Sequence, residues 1–324
     1  MSFLNTVKNR FVRSKTALTT GSAARSNGTS LIDPRDFQPP LPLPHGYSRE
    51  NLLPALESVS IDGSRQGELV GYAQADFERF IHTLGLVPEH AAGRSLEIGA
   101  NPYFTTLLFK KFRPLLNMDL INYFGGPEHQ ATQHVSFPGF DGVPEEIDMV
   151  WHNANLEFAT LPFEANTFDV VLFCEVLEHL TLDPLHAMLE LKRVLKPGGR
   201  LVLTTPNAAR LENVSAFIEG RNVYDQYSKY GVYGRHNREY TRHELSQLLA
   251  HCGFDIEIFY TANVHHDIPP HVKHNHAINS MIGEITNRKY DLGQYMFTSS
   301  INSRDAEILR PSWLFRSYPA EEMT

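Results

Sequence analysis

Cysteine is nearly absent from this chain: Cys174 and Cys252 are the only two among 324 residues. Two thiols cannot build a disulfide framework or a multi-cysteine zinc site. No run approaches the roughly 20 apolar residues that span a bilayer, and no apolar signal segment opens the chain. The compartment expected is therefore cytoplasmic. Positive charge is also in short supply, with 29 Lys and Arg against 37 Asp and Glu and a net charge of −8. That balance excludes a protein whose main task is gripping phosphates, so no nucleic-acid partner is expected. What the chain does have is apolar content, 42% with 11% aromatics, which is ample for a core and excludes global disorder.

Residues 1–66 do not read as core. Lys8, Arg10, Arg13, Lys15 and Arg25 precede the first acid, Asp33, and Pro34, Pro39, Pro40, Pro42 and Pro44 follow. Such proline density forbids a helix and favours an extended tether. The expectation is a flexible extension, basic and then proline-rich. Its Phe3–Leu4, Val7 and Phe11–Val12 offer a short amphipathic surface for peripheral membrane contact, and its composition is also that of an organelle transit peptide.

From 67 to 300 strand and helix patterns alternate. Phe77, Phe80, Ile81 and Leu84 share one helix face. Ser95–Gly99 is a short strand entering a turn, 105–112 a helix, and 114–120 a second strand. The unbroken apolar run Phe168–Cys174 reads as a strand buried on both faces. Asp183 and Pro184 open a helix as N-cap and first residue, Lys196-Pro197-Gly198-Gly199 stops it, and 200–205 is another strand. This order means right-handed crossovers and an α/β, doubly wound, mostly parallel sheet. Thr241 and Glu244 form a capping box for a helix ending at Cys252-Gly253. Strands follow at 255–260 and, paired antiparallel, at 293–299. Residues 208–239 form an insertion, 263–280 a histidine-rich loop, and 301–324 a C-terminal tail.

Such sheets bind ligands at the carboxyl ends of their strands. Glu97 and Gly99 lie at the first tight turn, where glycine admits a ligand to the backbone and the acid suits an ammonium. Asp119 ends the second strand and is placed to hold a ribose diol, Asn155 and Leu156 follow the third and suit an adenine edge, and Glu175 closes the fourth. Together these positions and the segments LEIGAN, LPFEANTFDVVLFCEVLEHL, ELKRVLKPGGRLVLTTPN and RHNREYTRHELSQLLAHCGF resemble the class I S-adenosylmethionine-dependent methyltransferases over residues 68–262. The resemblance implies a Rossmann-like fold with S-adenosyl-L-methionine as cofactor. It places Glu97 and Gly99 at the methionine end, Asp119 at the ribose, and Asn155 and Leu156 at the adenine. Asn101 and Tyr103 stand where the family often has glycines, which makes Asn101 part of a variant cofactor loop. The last segment is similar to a bacterial branch rich in glycan-modifying enzymes.

Three polar clusters remain. Glu175, Glu178 and His179 fall at i, i+3 and i+4, so a helical turn brings them together. His179 is then a general base for an acceptor hydroxyl, or the three are ligands for a hard ion such as Mg²⁺, as in the similar E-x-x-E-H segment of ubiquinone-pathway O-methyltransferases, or they pack at a helix start. Arg235, His236, Arg238 and Tyr240 form either a structural turn or a substrate wall, with His236 an alternative base. His265, His266, His271, His274 and His276 read as a solvated loop over the acceptor site.

The function expected is S-adenosylmethionine-dependent O-methylation of a saccharide, glycolipid or other small-molecule hydroxyl. A nicotinamide-dependent oxidoreductase fits less well, because one glycine survives of its G-x-G-x-x-G loop and Tyr103 would crowd a pyrophosphate. A catalytically inactive scaffold binding a partner through 208–239 is the other alternative.

Overall fold

A computed structural model describes residues 39–226, 231–266 and 291–315. The basic start of the N-terminal extension, most of the histidine-rich loop and the end of the C-terminal tail lie outside the described residues.

The elements run α1 (Arg49–Glu57), β1 (Ser60–Ile61), α2 (Gln66–Gly85), β2 (Gly93–Ile98), α3 (Phe104–Phe112), β3 (Leu116–Asn122), β4 (His129–Phe137), β5 (Glu145–Asn153), β6 (Phe168–Cys174), α4 (Pro184–Val194), β7 (Leu195–Pro206), α5 (Leu211–Ile218), α6 (Arg242–His251), β8 (Phe254–Ala262) and β9 (Tyr295–Asn302). All nine strands join one sheet in the order β1-β4-β5-β3-β2-β6-β7-β9-β8. Its centre, β5-β3-β2-β6-β7, is parallel. Strand β4 is antiparallel to β5 and β1, and β9 is antiparallel to both β7 and β8. The α/β, mostly parallel architecture with a late antiparallel strand is therefore as the sequence indicates.

Each face of the sheet carries its own core. On one face Leu52 and Leu56 of α1, Phe77 and Phe80 of α2 and Phe104 and Leu108 of α3 pack over Leu120, Leu172 and Val202. On the other, Leu185, Met188 and Leu191 of α4 and Leu245 and Leu249 of α6 cover Leu96, Val171 and Phe173. Successive residues of β6 feed opposite cores, which is why the strand is apolar throughout. Local signals are realised at the helix starts. Asp183 Oδ1 accepts the Leu185 N–H at 2.9 Å, and Thr241 and Glu244 form the reciprocal capping box.

Several expectations change. The N-terminal extension does not remain a tether as far as residue 66, because Leu52, Leu56, Val59 and Ile61 are buried and their apolar spacing draws α1 and β1 onto the core. Strand β3 starts at Leu116 and ends at Asn122, two residues later than its composition suggests. Strand β4 was not read at all, since polar HQATQH hides an edge pairing. Strand β7 begins at Leu195 and passes Gly198-Gly199 in a bulge opposite Phe168–Val170 rather than starting after a stop. The 208–239 insertion contains α5. The C-terminal segment finishes β9 and then packs Leu314 into the second core.

Leu56→Ala should lower unfolding free energy by about 2–5 kcal/mol through lost burial and a residual cavity. Denaturant titration measures this, and a loss below about 0.5 kcal/mol, the scale of a surface substitution, would show that α1 does not belong to the core.

Candidate active site

Strand β2 pairs parallel with β3 on one side and β6 on the other, so the progression of strand order reverses about it and leaves a crevice at the carboxyl ends. Gly99 makes the first turn there with φ 74°, and a Cβ on it would stand 2.9 Å from Val176 Cγ2. A cavity of about 100 Å³ opens at this point, lined by Gly99, Asn101, Asn122, Tyr123, Asn155, Leu156, His179 and Tyr233 among others. Five expected residues thus meet: Gly99, Asn101, Asn155, Leu156 and His179.

Asp119, Glu97 and Glu175 do not join them. Because β3 runs on to Asn122, Asp119 sits within the strand opposite Leu96, and Arg94 holds its carboxylate with two hydrogen bonds of 2.9 and 3.0 Å. The strand-end position belongs to Asn122, next to Ile121, whose carbonyl accepts the Gly99 N–H at 2.8 Å. Asn122 Oδ1 accepts the Asn101 N–H at 2.8 Å and so braces the variant loop. No carboxylate lines the cavity among the described residues. Glu97 points to the α3 side, where Thr106 Oγ1 donates to it at 2.6 Å and burial pushes its pKa up to about 8. Near neutrality it is protonated and offers no charge to an ammonium.

Glu175 has φ 55°, and its Oε1 accepts from Thr204 Oγ1 at 2.9 Å. Burial raises its pKa, with Arg79 opposing. Arg79 belongs to a charged knot the sequence reading missed. Its Nε donates to Asp76 at 2.9 Å and a terminal nitrogen to Tyr72 OH at 2.6 Å. The visible signal was Asp76 and Arg79 set i, i+3 within the apolar stripe of α2. His265 and His266 are drawn toward the same helix, 3.6 Å from Asp76 and 2.7 Å from Glu78.

Beyond Glu175 a single 3₁₀ turn, Leu177–His179, replaces the expected α-turn, so Glu175 leaves the predicted metal set. His236 takes its place: one potential ligand atom from each of Glu178, His179 and His236 lies within 4.8 Å of the others. His179 Nδ1–H donates to the Arg235 carbonyl at 2.9 Å, and His236 Nδ1–H donates to Glu239 Oε1 at 2.7 Å. The two rings meet edge to face with centroids 5.1 Å apart. Burial would raise the Glu239 pKa, but the His236 hydrogen bond and the Arg210 charge outweigh it and hold it at about 2. Glu178 is fully buried. Its Oε2 accepts from Thr205 Oγ1 at 3.0 Å, its Oε1 has no hydrogen-bond partner, and burial followed by the nearby Glu175 charge puts its pKa well above the usual carboxylate range.

The substrate wall is corrected in part. Tyr240 is 2% exposed and packs in the second core, while Arg238 pairs with Glu244 and lies over the Tyr240 and Phe315 rings. Both serve the structure, because the Arg238 guanidinium is held by two aromatic faces and a carboxylate, although its Nε stays buried without a hydrogen-bond partner. Arg235 donates from Nε to Asn237 Oδ1 at 3.2 Å and contributes its carbonyl to His179. One further residue, Tyr233, was missed by sequence reading, and Glu157, the neighbour of Asn155 and Leu156 at the strand end, is its partner rather than a ligand contact. Asn155 Nδ2 donates to Tyr233 OH at 2.8 Å, and Tyr233 OH donates to Glu157 Oε2 at 2.8 Å. Nothing periodic in the insertion announces Tyr233.

Residues 70–257, more than half of the chain, match the family model for a methyltransferase domain. The chain belongs to the methyltransferase-domain family. It is 34% identical over 99 residues to a Mycolicibacterium smegmatis protein named a probable S-adenosylmethionine-dependent methyltransferase, covering 31% of this chain and 33% of that protein. It is also 34% identical over 102 residues to an uncharacterized 37.1 kDa protein from transposon TN4556 of Streptomyces fradiae, covering 30% and 27%. The matched stretches thus span a third or less of these relatives. Among solved structures, the methyltransferase of Haloferax volcanii in complex with the Trm112 activator is 15% identical, with a TM-score of 0.47 over 72% of this chain and 92% of that one.

The neutral Glu97 yields a pH-dependent outcome. Its folded pKa lies above the ordinary carboxyl value, so its favourable contribution is complete below about 4.5 and is lost as pH rises through about 8. Glu97→Gln should flatten stability across that interval and make the protein more stable than wild type above it. Unfolding titrations at matched pH values would show this, and parallel pH curves for the two proteins would mean that Glu97 ionises freely.

Proposed function

We propose that this protein transfers the methyl group of S-adenosyl-L-methionine to a hydroxyl of a saccharide or other small polar acceptor. The observation that carries the reading is the carboxylate-backed imidazole pair at the strand-end crevice. Glu239 is ionised and takes the His236 Nδ1 proton as a hydrogen bond, which leaves Nε2 as the basic nitrogen. The Arg235 carbonyl fixes the His179 tautomer in the same way. Family membership supports the cofactor, and so does the neutral cavity with its amides from Asn122 and Asn155 and its apolar wall at Leu156. Buried Tyr103, at φ 66°, occupies the N-terminus of α3 and leaves no cradle for a pyrophosphate, which weighs against the nicotinamide alternative.

The cofactor supplies an electrophilic methyl and its own leaving group. The chain must therefore place the acceptor oxygen in line, exclude water and receive one proton. His236 accepts that proton at Nε2, and the Glu239 carboxylate stabilises the imidazolium. His179, on the cavity wall, orients the acceptor. Polar contacts around Arg235 and His236 suit a hydroxylated ring.

A second reading rests on Glu178 Oε1, a buried oxygen with no hydrogen-bond partner that lies 3.8 Å from His179 Nε2. With His179 and His236 it would offer a divalent ion two imidazoles and one carboxylate, each imidazole already braced at Nδ1 as metal-binding histidines commonly are. That donor set suits zinc, iron or manganese better than Mg²⁺.

His236→Ala should lower turnover roughly 10²–10⁴-fold while leaving S-adenosylhomocysteine affinity near wild type. The assay is mass spectrometry of a saccharide pool, which should gain one methylene unit. Calorimetry showing no S-adenosylhomocysteine binding would instead favour a scaffold, and full turnover by the variant would remove His236 as base. Dialysis against EDTA separates the two readings: unchanged activity supports the imidazole base, and loss restored by Zn²⁺ or Mn²⁺ supports the ion.

A further inference from the structure

The cavity is too small for the ligand assigned to it. Sites that enclose molecules of this size run roughly 300–1,000 Å³, whereas this one measures about 100 Å³. The wall that closes it is neither sheet nor helix. It is Tyr233, from the insertion, whose hydroxyl sits between Asn155 Nδ2 and Glu157 Oε2 at 2.8 Å each and whose ring meets Tyr123 edge to face at 5.7 Å.

That arrangement is a competition. Asn155 is the side chain placed to read a nucleobase, and in this structure its amide donates to the tyrosine instead. Glu157 does not depend on Tyr233, because it also accepts from Thr181 N–H at 2.6 Å, Thr181 Oγ1 at 2.8 Å and Leu182 N–H at 2.6 Å. Removing the phenol therefore frees Asn155 without leaving Glu157 unsatisfied.

The same short stretch reaches the imidazoles. Arg235, two residues on, holds His179 through its carbonyl, and His236 is next. The stretch is anchored at its far end, where the Asn237 and Arg238 N–H groups donate to the Glu178 carbonyl at 2.8 and 3.2 Å and Asn237 Nδ2 donates to the His179 carbonyl at 2.9 Å. At its near end the contact with the cavity wall is the Tyr233 side chain.

We propose that Tyr233 is a gate that the nucleoside of the cofactor must displace from Asn155, and that its displacement resets the segment carrying Arg235 and His236. This rests on the cavity being the cofactor site, and it goes beyond that reading by coupling cofactor occupancy to the acceptor side. Cofactor binding then precedes productive acceptor binding, because the imidazoles take their working positions only once the tyrosine has moved.

The test uses the full chain, S-adenosylhomocysteine as probe, and Tyr233→Phe, which keeps the ring and removes the competing hydroxyl. Calorimetry should show roughly three- to tenfold tighter binding by the variant, the scale of one lost intramolecular hydrogen bond, and stopped-flow fluorescence a faster association. The imidazole NMR signals of His236, which does not line the cavity, should shift when S-adenosylhomocysteine is added to wild type. Equal or weaker binding by Tyr233→Phe, or imidazole signals indifferent to the bound probe, overturns the gate while leaving the cofactor site standing. Wild-type protein that binds no S-adenosylhomocysteine removes both. The Tyr233→Phe melting curve is the fold control, and should the variant unfold, the wild-type imidazole shifts decide the matter alone.

Discussion

Two backbone N–H groups, from Asn237 and Arg238, converge on the carbonyl of Glu178. Everything distinctive about the site depends on that junction. It fastens an insertion of irregular sequence to the turn that follows the central strand β6, and the Asn237 side chain repeats the attachment one residue later at His179. Without it the sheet would still form, because its two cores involve other residues. The imidazole of His236 would have no reason to lie against that of His179, and Glu239 would have nothing to orient.

The surrounding electrostatics follow from burial. Glu97 and Glu178 are carboxyl groups held inside the protein without a cation beside them, and each is pushed toward its neutral form. Glu239 is nearly as enclosed but has Arg210 and His236, and stays ionised. Two of these three glutamates are therefore held neutral and one ionised, a difference set by neighbours rather than by residue type. An ionised Glu239 behind His236 and a neutral Glu178 in front of His179 make the two histidines chemically unequal.

Much of the architecture was legible beforehand, and the reasons are local. Phe168–Cys174 could only be a strand buried on both sides, and the caps at Asp183 and Thr241 mark their helices by side-chain chemistry alone. Gly99, Asn101, Asn155, Leu156 and His179 were found because strand ends in a doubly wound sheet converge. The failures share a cause as well. Asp119 was misplaced because a two-residue error in a strand end moves a side chain by a full pleat repeat and out of the crevice. Glu175 was grouped with His179 on the assumption of α-helical spacing, which a residue at φ 55° interrupts. Tyr233 depends on a contact with Glu157 76 residues away, which no window of residues contains, whereas the Arg79 knot lies within one helix and was passed over because its charges sit in an apolar stripe.

Strand β4 shows how an unremarkable stretch can matter. Its pairing with β5 runs from His129 opposite Asn153 to Phe137 opposite Glu145, and its Gln133 accepts from both Asn101 Nδ2 and Tyr103 OH. The variant loop that replaces a run of glycines is thus propped from the edge of the sheet. Bulk at Tyr103 is tolerated because the chain built a socket for it.

One side of the strand-end cavity is a phenol carried on a loop, while Ile98, Ile121, Ala154 and Leu156 on its other walls belong to a core and cannot change without disturbing it. Trimming that phenol would enlarge the chamber at little cost to folding. On the proposed reading, a cofactor analogue with an extra substituent on the base and an isotopic label on its sulfonium methyl would then fit the trimmed chamber, and the label would pass to the acceptor while the substituted base left with the thioether.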